Sequence, residues 1–240
     1  MNIFVTGTDT GVGKTVIVAG LAAVLQSLGY KVGVFKPVQT GAVYHPDDYW
    51  YSPDLEFVNA VDENIMTKCT YLLRAPAAPV VSAPLDNETI DINNIIKDYN
   101  TLSEQCDFVI VEGIGGISVP VTPSLTVKDI IKILDLPIII ATSPKLGTIN
   151  HTILTVEYAN KYNIDVIGII MSGYSETSED VAEKSAPQVM INFVQSELLG
   201  IIPKIQGLSE IDPHAETIIE LTLQNLNLEK IFKIKLPKLL

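Results

Sequence analysis

The stretch GTDTGVGKT, residues 7–15, has the residue types that bind the phosphate chain of a nucleotide. Its glycines let backbone N–H groups approach phosphate oxygens closely, and a following helix would add the partial positive charge of its N-terminus. Lys14 is placed to reach the terminal phosphates, and the Thr15 hydroxyl to take a position on Mg²⁺. The spacing departs from a regular phosphate loop, because Thr8 stands where a glycine is usual and Gly7 comes one residue early. We therefore expect a longer loop whose front half faces a second substrate; the alternative is a glycine-rich turn with an exposed lysine.

Two further segments place charged side chains at expected strand ends. Lys36 opens KPVQTG, residues 36–41, and a fixed cation there would offset negative charge on a transferring phosphoryl group. A solvated lysine at a strand end is the alternative. Glu112 follows an apolar strand, where a carboxylate is costly unless it is paired or bound to a metal. Mg²⁺ takes carboxylates together with phosphate oxygens, so it is the expected partner, and a plain glycine turn over residues 113–116 is the alternative.

A fourth expected strand end carries another lysine. The sequence SPKLG, residues 143–147, precedes a predicted helix that begins near Thr148. Lys145 and the N-terminus of that helix would together favour an anion. A surface lysine without a ligand is the alternative.

These side chains meet only if the strands that precede them end at one edge of a sheet. Several predicted strands are continuous apolar runs, which is typical of strands covered by helices on both faces. We predict strands at 2–5, 31–35, 108–111, 137–142, 166–171 and 200–202, helices at 14–28, 54–61, 91–104, 127–134, 148–162 and 186–198, a further helix after Pro213, and loops at 44–53 and 75–84. The pattern predicts an α/β fold with a doubly wound, mainly parallel sheet in a single domain over residues 1–240. Ligands then bind beyond the carboxyl ends of the strands.

The end of the chain and its bulk composition add weaker constraints. Within the tail, residues 226–240, we interpret Lys230, Lys233, Lys235 and Lys238 as a solvated face. The hydrophobic fraction of 47% is ample for a core, and the net charge of −12 argues against a general nucleic-acid binder and favours small-molecule substrates. Cys69 and Cys106 lack the spacing of a metal or redox pair. Neither a signal peptide nor an apolar run of about 18 residues is present, so we predict a cytoplasmic protein without membrane contact.

Four motifs in one order point to a known family. GTDTGVGKT, KPVQTG, VEGIGG and PKLGTINH, between residues 7 and 151, together resemble dethiobiotin synthetases of biotin biosynthesis. The resemblance implies a P-loop NTP hydrolase fold and a homodimer with a shared active site. It also implies ATP- and Mg²⁺-dependent carboxylation and ring closure of 7,8-diaminopelargonic acid with CO₂. The reaction would pass through a carbamate and a carbamic-phosphoric mixed anhydride to dethiobiotin, ADP and phosphate.

The same resemblance implies roles for residues in and around the motifs. Lys36 and Lys14 would be catalytic, and Mg²⁺ would be held by Thr15, Asp54 and Glu112. The nucleotide would be bound by those three residues, by Lys14, and by Gly11, Val12, Gly13, Val16, Gly113, Ile114, Gly115, Ser172, Gly173, Pro203, Lys204 and Ile205. The second substrate would contact Thr10, Thr40 and Gly115, and its carboxylate tail would meet Lys145, Leu146, Gly147 and Asn150, across the dimer.

One residue departs from the family pattern. Ser172 stands where an asparagine often reads adenine. A serine offers a single hydroxyl where an amide both donates and accepts, so we predict weak selectivity for the base.

Three other classes of protein remain as alternatives. A partitioning-type P-loop ATPase switch normally has an extra lysine early in the phosphate loop, and this loop has none before Lys14. A non-catalytic nucleotide-binding module would need neither Lys36 nor Lys145. The synthetase-like domain of a cobyrinate amidase would carry a further glutaminase domain, for which we expect no room in 240 residues.

Overall fold

A seven-stranded sheet forms the centre of the computed structural model, which describes residues 1–209 and 213–235. Its strands are β1 (Ile3–Gly7), β2 (Val32–Thr40), β5 (Met66–Leu73), β6 (Phe108–Gly116), β7 (Ile138–Thr142), β8 (Val166–Tyr174) and β9 (Leu198–Pro203). They lie in the order β5-β2-β6-β1-β7-β8-β9, and every neighbouring pair is parallel. A separate antiparallel hairpin pairs β3 (Val43–His45) with β4 (Tyr49–Tyr51). The predicted parallel sheet is confirmed.

Helices cover both faces of the sheet. They are α1 (Lys14–Ser27), α2 (Pro53–Val61), α3 (Pro79–Leu85), α4 (Ile92–Ser103), α5 (Val127–Leu134), α6 (Thr148–Lys161), α7 (Val181–Phe193), α8 (Ala215–Asn225) and α9 (Leu228–Phe232). One apolar core packs α1, α2, α8 and α9 against the sheet, and a second core packs α4 to α7 against the opposite face. This two-sided burial explains the unbroken apolar runs of the central strands, and it confirms the doubly wound fold.

The turn from β1 into α1 requires glycine. Gly13 caps α1 at φ 89°, a left-handed conformation that strains any residue with a Cβ. A Cβ at this position would also lie 2.5 Å from the Ser172 hydroxyl oxygen, at the end of β8. The backbone of the loop can therefore lie directly against the neighbouring strand.

Several predicted boundaries were wrong for identifiable reasons. The expected loop at 44–53 contains most of the β3–β4 hairpin, and α3 occupies residues 79–84 of the expected loop at 75–84. Pro79 begins α3, where a missing N–H costs nothing. The edge strand β5 was missed because it has no continuous apolar run and only Tyr71 and Leu73 of its eight residues are buried. Helix α7 spans Val181–Phe193 rather than 186–198, since Asp180 caps it by accepting from Ala182 and Glu183 N–H groups.

The described part of the tail docks on the sheet through its apolar residues. Leu228, Ile231 and Phe232 are buried, and the Phe232 ring lies edge-on to Phe108 at 5.5 Å. Lys230, Lys233 and Lys235 are exposed, as expected of a solvated face, whereas Lys238 lies outside the described residues. Within residues 1–209 and 213–235, the helices are all too short or too polar to cross a bilayer.

Candidate active site

A cleft of about 700 Å³ opens at the carboxyl ends of β1, β2 and β6. The phosphate loop forms one wall, and β2, β6 and the start of α2 form the others. The residues lining it are Thr10, Gly11, Gly13, Lys14, Thr15, Val16, Lys36, Gln39, Thr40, Asp54, Pro76, Ala77, Ala78, Glu112, Ile114, Gly115 and Val119. The fold thus brings both predicted catalytic lysines, the three predicted metal ligands and three predicted substrate contacts into one cavity.

The phosphate loop leaves the N-terminus of α1 open. Among the residues that the structure describes, no side chain caps this helix, so its first backbone N–H groups are available to an anion. The Lys14 ammonium turns back over the loop and donates to the Asp9 carbonyl at 3.0 Å. Burial lowers the pKa of Lys14 to about 8, although the nearby Glu112 carboxylate opposes the shift. A phosphate oxygen would give this poorly solvated cation a stronger partner than the Asp9 carbonyl.

Lys36 lies at the centre of a buried ion cluster. Its Nζ is 2.5 Å from Asp54 Oδ2 and 2.8 Å from Glu112 Oε1, and it also donates to the Gly113 carbonyl at 3.3 Å. Lys36 is 2% exposed and Glu112 is 1% exposed. We predicted that each would follow its strand, but Lys36 lies within β2 and Glu112 within β6. The alternatives of a solvated lysine and of a plain glycine turn are therefore wrong.

The pKa of each charged group in this cluster depends on its burial and on the charges of the other groups. Burial by itself would lower the pKa of Lys36, but the charges of Glu112 and Asp54 outweigh it and raise that pKa above its usual value. Burial raises the pKa of Glu112 against the attraction of Lys36. Burial also acts to raise the pKa of Asp54, yet Lys36 overcomes it and the pKa is lowered. Lys36 is consequently a fixed cation at neutral pH.

The donor set beside Lys36 fits a magnesium ion. The Thr15 hydroxyl lies 3.0 Å from Glu112 Oε1 and 3.2 Å from Asp54 Oδ1, so a single proton serves two carboxylates. The second oxygen of Glu112, Oε2, is buried and finds no hydrogen-bond partner among residues 1–209 and 213–235. An orphaned carboxylate oxygen is costly, and a hard cation with a preference for oxygen ligands would satisfy it.

A second cleft of about 360 Å³ continues from the phosphate loop towards β8 and β9. Gly11, Gly13 and Val16 line both clefts, so the two clefts form one continuous groove. Its lining consists of Gly11, Val12, Gly13, Val16, Ser143, Pro144, Lys145, Ser172, Gly173, Glu183, Pro203, Lys204, Ile205 and Leu208. The predicted base-contacting residues therefore lie together, at the end of the groove away from Lys36.

The segment 145–150 does not reach the first cleft within one chain. Lys145 lines the second cleft, Leu146 is 86% exposed, and Asn150 is exposed on α6. The segment is anchored through Thr148, whose hydroxyl lies 2.7 Å from that of Thr142 at the end of β7. Contact with the carboxylate tail of a substrate in the first cleft stays a prediction that requires a second copy of the chain.

Some lining residues were not identified from the sequence. Gln39 lies inside the motif KPVQTG but has no recognisable chemistry of its own, and Pro76–Ala78 belong to a stretch interpreted only as a loop. Glu183 reaches the second cleft from the first turn of α7, a position that depends on tertiary packing alone. No local pattern indicates such a contact.

Comparison with known proteins relates the chain to one group of enzymes. A family model described as an AAA domain matches residues 1–212. The ATP-dependent dethiobiotin synthetase BioD of Bacillus subtilis (strain 168) is 39% identical over 227 residues, which are 94% of each chain. The protein of that name from Methanococcus vannielii is 38% identical over 200 residues, 83% of this chain and 92% of its own.

Solved structures of lower identity share the fold. The MinC:MinD cell division protein complex of Aquifex aeolicus matches with a TM-score of 0.60 at 13% identity, covering 100% of this chain and 98% of the other. Cobyrinic acid a,c-diamide synthase of Mycobacterium smegmatis, with bound ATP analog and magnesium, matches with a TM-score of 0.58 at 15% identity, covering 100% and 99%. At these identities the likeness extends to the fold alone.

Proposed function

The chain belongs to the ATP-dependent dethiobiotin synthetase family, a family of ligases in biotin biosynthesis, and from this premise we propose how its cleft performs the reaction. The substrates are 7,8-diaminopelargonate, CO₂ and ATP. One amine of the diamine adds to CO₂ and loses a proton, which gives a carbamate. The observation that carries the proposal is the buried cluster of Lys36, Asp54, Glu112 and Thr15 beside the phosphate loop.

Phosphoryl transfer activates the carbamate. A carbamate oxygen attacks the γ-phosphorus of ATP, the bond to the β-phosphate oxygen breaks, and ADP leaves. The second amine then attacks the carbamoyl carbon of the mixed anhydride, loses a proton and expels phosphate, which closes the ureido ring. No protein nucleophile takes part, so positioning and charge stabilisation are the tasks of the protein.

Two lysines bring the anions together. Carbamate and triphosphate repel each other, and Lys14 at the start of α1 and Lys36 on β2, which line the same cleft, offset that repulsion. Because its carboxylate partners keep Lys36 charged, its cation is fixed before charge develops on the transferring group. Thr10, Thr40 and Gly115 line the same cavity and hold the diamine end of the substrate.

Magnesium would bind to the Thr15 hydroxyl and to the Asp54 and Glu112 carboxylates. Bound there with ATP, it would neutralise negative charge on the triphosphate. The buried Glu112 Oε2, which has no hydrogen-bond partner within the described part of the chain, supports this assignment. Thr15 lies in the first turn of α1, directly after the phosphate loop, so the position of this metal ligand relative to the loop is fixed.

The nucleobase of ATP and the carboxylate tail of the diamine substrate are bound farther from the Lys36 cluster. The nucleobase lies in the second cleft, near Ser172, Gly173 and Pro203–Ile205, with weak selectivity among bases. The exposed segment 145–150 of a second copy meets the carboxylate tail, and the functional unit is a homodimer with a shared site.

A product assay tests this function. The protein is incubated with diaminopelargonate, bicarbonate, Mg²⁺ and ATP, and dethiobiotin is sought by mass spectrometry. We expect product only when all four are present, with one ADP formed per ring closed. ATP hydrolysis that is independent of the diamine, with no dethiobiotin, would contradict the proposal and favour a partitioning-type ATPase switch.

A further inference from the structure

The strand that carries Lys36 and the helix that carries Asp54 are separated by the β3–β4 hairpin. This hairpin, residues 43–51, is largely exposed, and Tyr44, Tyr49 and Trp50 present their rings to solvent. Few buried contacts therefore fix its position on the body of the protein. The apolar core fixes the body of α2 through buried residues such as Leu55 and Val58, so what remains to be explained is the position of its first turn, which carries Asp54 beside Lys36.

A continuous row of hydrogen bonds joins the two ends of the hairpin. Gln39 Nε2 donates to the Thr40 carbonyl at 2.8 Å, and Gln39 Oε1 accepts from the Ser52 hydroxyl at 2.6 Å. The Ser52 oxygen in turn accepts from the Leu55 N–H at 3.2 Å, which makes Ser52 the N-cap of α2. Gln39 is 5% exposed and Ser52 is 7% exposed, so water does not compete readily for these bonds.

Asp54 lies in the first turn of the helix that Ser52 caps. Its two carboxylate oxygens face different partners, Lys36 at 2.5 Å and Thr15 at 3.2 Å, so a small shift of the helix start would break one contact or both. Loss of a group that orients a metal ligand typically lowers metal affinity about 10- to 100-fold.

We propose that Gln39 and Ser52 are positioning residues for the magnesium site: their hydrogen bond ties the end of β2 to the start of α2 and holds the Asp54 carboxylate beside Thr15 and Lys36. The inference rests on the proposed function in one respect, the role of Asp54 as a metal ligand. It assigns to Gln39 a task that neither its residue type nor its place in KPVQTG indicates.

Three substitutions separate positioning from simple stabilisation. Gln39→Leu removes the amide and keeps a side chain of similar size. Ser52→Gly keeps most of the capping preference at the start of α2 but removes the hydroxyl that reaches Gln39. Ser52→Thr keeps both the cap and the hydroxyl. As a matched control, Asp91→Ala removes the N-cap of α4, where Asp91 accepts from the Asn93 N–H at 2.9 Å and lines neither cleft.

The readout is ADP binding by calorimetry, with and without Mg²⁺, which does not depend on turnover. We expect Gln39→Leu and Ser52→Gly each to weaken the apparent Mg²⁺ affinity about tenfold, while ADP binding without metal is unchanged. Ser52→Thr should restore wild-type Mg²⁺ affinity, and the double variant should be no worse than either single one, because both remove the same bond. Asp91→Ala should leave the Mg²⁺ affinity unchanged.

Several results would overturn the inference. These are equal losses of ADP binding with and without Mg²⁺, additive effects in the double variant, a control as damaging as Gln39→Leu, or wild-type binding that is indifferent to Mg²⁺. Thermal unfolding of each variant identifies any that fails to fold. If Gln39→Leu does not fold, the comparison of Mg²⁺ affinity between Ser52→Gly and Ser52→Thr decides alone. If Mg²⁺ dependence follows the expected pattern but no dethiobiotin forms, the proposed reaction fails and the positioning role stands.

Discussion

The two ends of the nucleotide groove are built differently. At the phosphate end, Lys36 and Glu112 are almost fully buried. Lys36 Nζ donates to Glu112 Oε1 and to the Gly113 carbonyl, and Glu112 Oε1 also accepts from the Thr15 hydroxyl, all within 3.3 Å. At the end that we propose binds the base, the lining comes from the last residues of β8 and β9, the segments that follow β7 and β9, and the first turn of α7, and Ser172 is a short buried side chain facing Gly13. Substitutions at the phosphate end should therefore be severe and specific, whereas the base end should tolerate change and discriminate weakly.

The largest effect is expected from Lys36→Ala. Removal of a fixed cation at developing charge should lower turnover about 10²- to 10³-fold. Nucleotide binding should fall far less, since Lys14 and the phosphate loop remain. Steady-state kinetics and calorimetry measure the two quantities on the same preparation.

A second lysine serves as the control for that change. Lys68 is exposed on the neighbouring strand β5 and pairs with Asp98 at 3.5 Å. Lys68→Ala should leave turnover unchanged. Equal losses of binding and turnover in Lys36→Ala would mean that Lys36 is only a binding residue.

Glu112→Gln should come next in magnitude. The substitution keeps the shape of the side chain but takes away the charge that partners Lys36 and suits a metal. We expect the apparent Mg²⁺ affinity, measured by titrating activity after chelation, to fall about 10- to 100-fold. An unchanged Mg²⁺ requirement would exclude Glu112 from the metal site.

Gly13→Ala probes the point where the two ends of the groove meet. The added Cβ would lie 2.5 Å from the Ser172 hydroxyl oxygen at a φ of 89°, so both strain and a clash oppose it. Gly29→Ala is a matched control, because Gly29 has a φ of 90° and no atom of the described residues lies within 4 Å of the added Cβ. By urea unfolding, Gly29→Ala should cost about 1 kcal/mol from backbone strain, and Gly13→Ala about 1–3 kcal/mol more. Equal losses of unfolding free energy in the two variants would show that the Ser172 side chain moves aside at little cost.

The smallest effect is expected at the base end, from Ser172→Asn. The wild type should use ATP, CTP and GTP with similar kcat/KM, and the asparagine should raise the preference for ATP about tenfold. Ser172→Ala serves as the control for loss of the hydroxyl alone. A wild-type preference for ATP of about 100-fold, equivalent to about 2.7 kcal/mol, would contradict weak selectivity.

The same contrast shows what the sequence could predict. Gly13, Lys14 and Thr15 form a local pattern at a strand–helix junction, and Glu112 interrupts an apolar run, so each indicates its chemistry without knowledge of the fold. Asp54 could be assigned only through the family resemblance, because an acidic residue in the first turn of a helix is ordinary.

Other features depend on contacts that no local pattern encodes. Gln39 acquires its task from Ser52, thirteen positions away beyond a hairpin that was predicted to be a loop. The edge strand β5 escaped prediction because only two of its eight residues, Tyr71 and Leu73, are buried, and Glu183 reaches the groove only through the packing of α7. The buried centre of the fold was therefore predictable, and its edges and the outer end of the groove were not.

The central claim is that the cleft phosphorylates a carbamate and that the carbamate oxygen leaves with the phosphate. The most direct test uses ¹⁸O-labelled CO₂ in unlabelled water, over a time short enough to limit exchange with solvent. Because the attacking carbamate oxygen becomes the bridge to phosphorus and then departs with it, the account predicts one ¹⁸O in each released phosphate. Dethiobiotin formed together with unlabelled phosphate would contradict it.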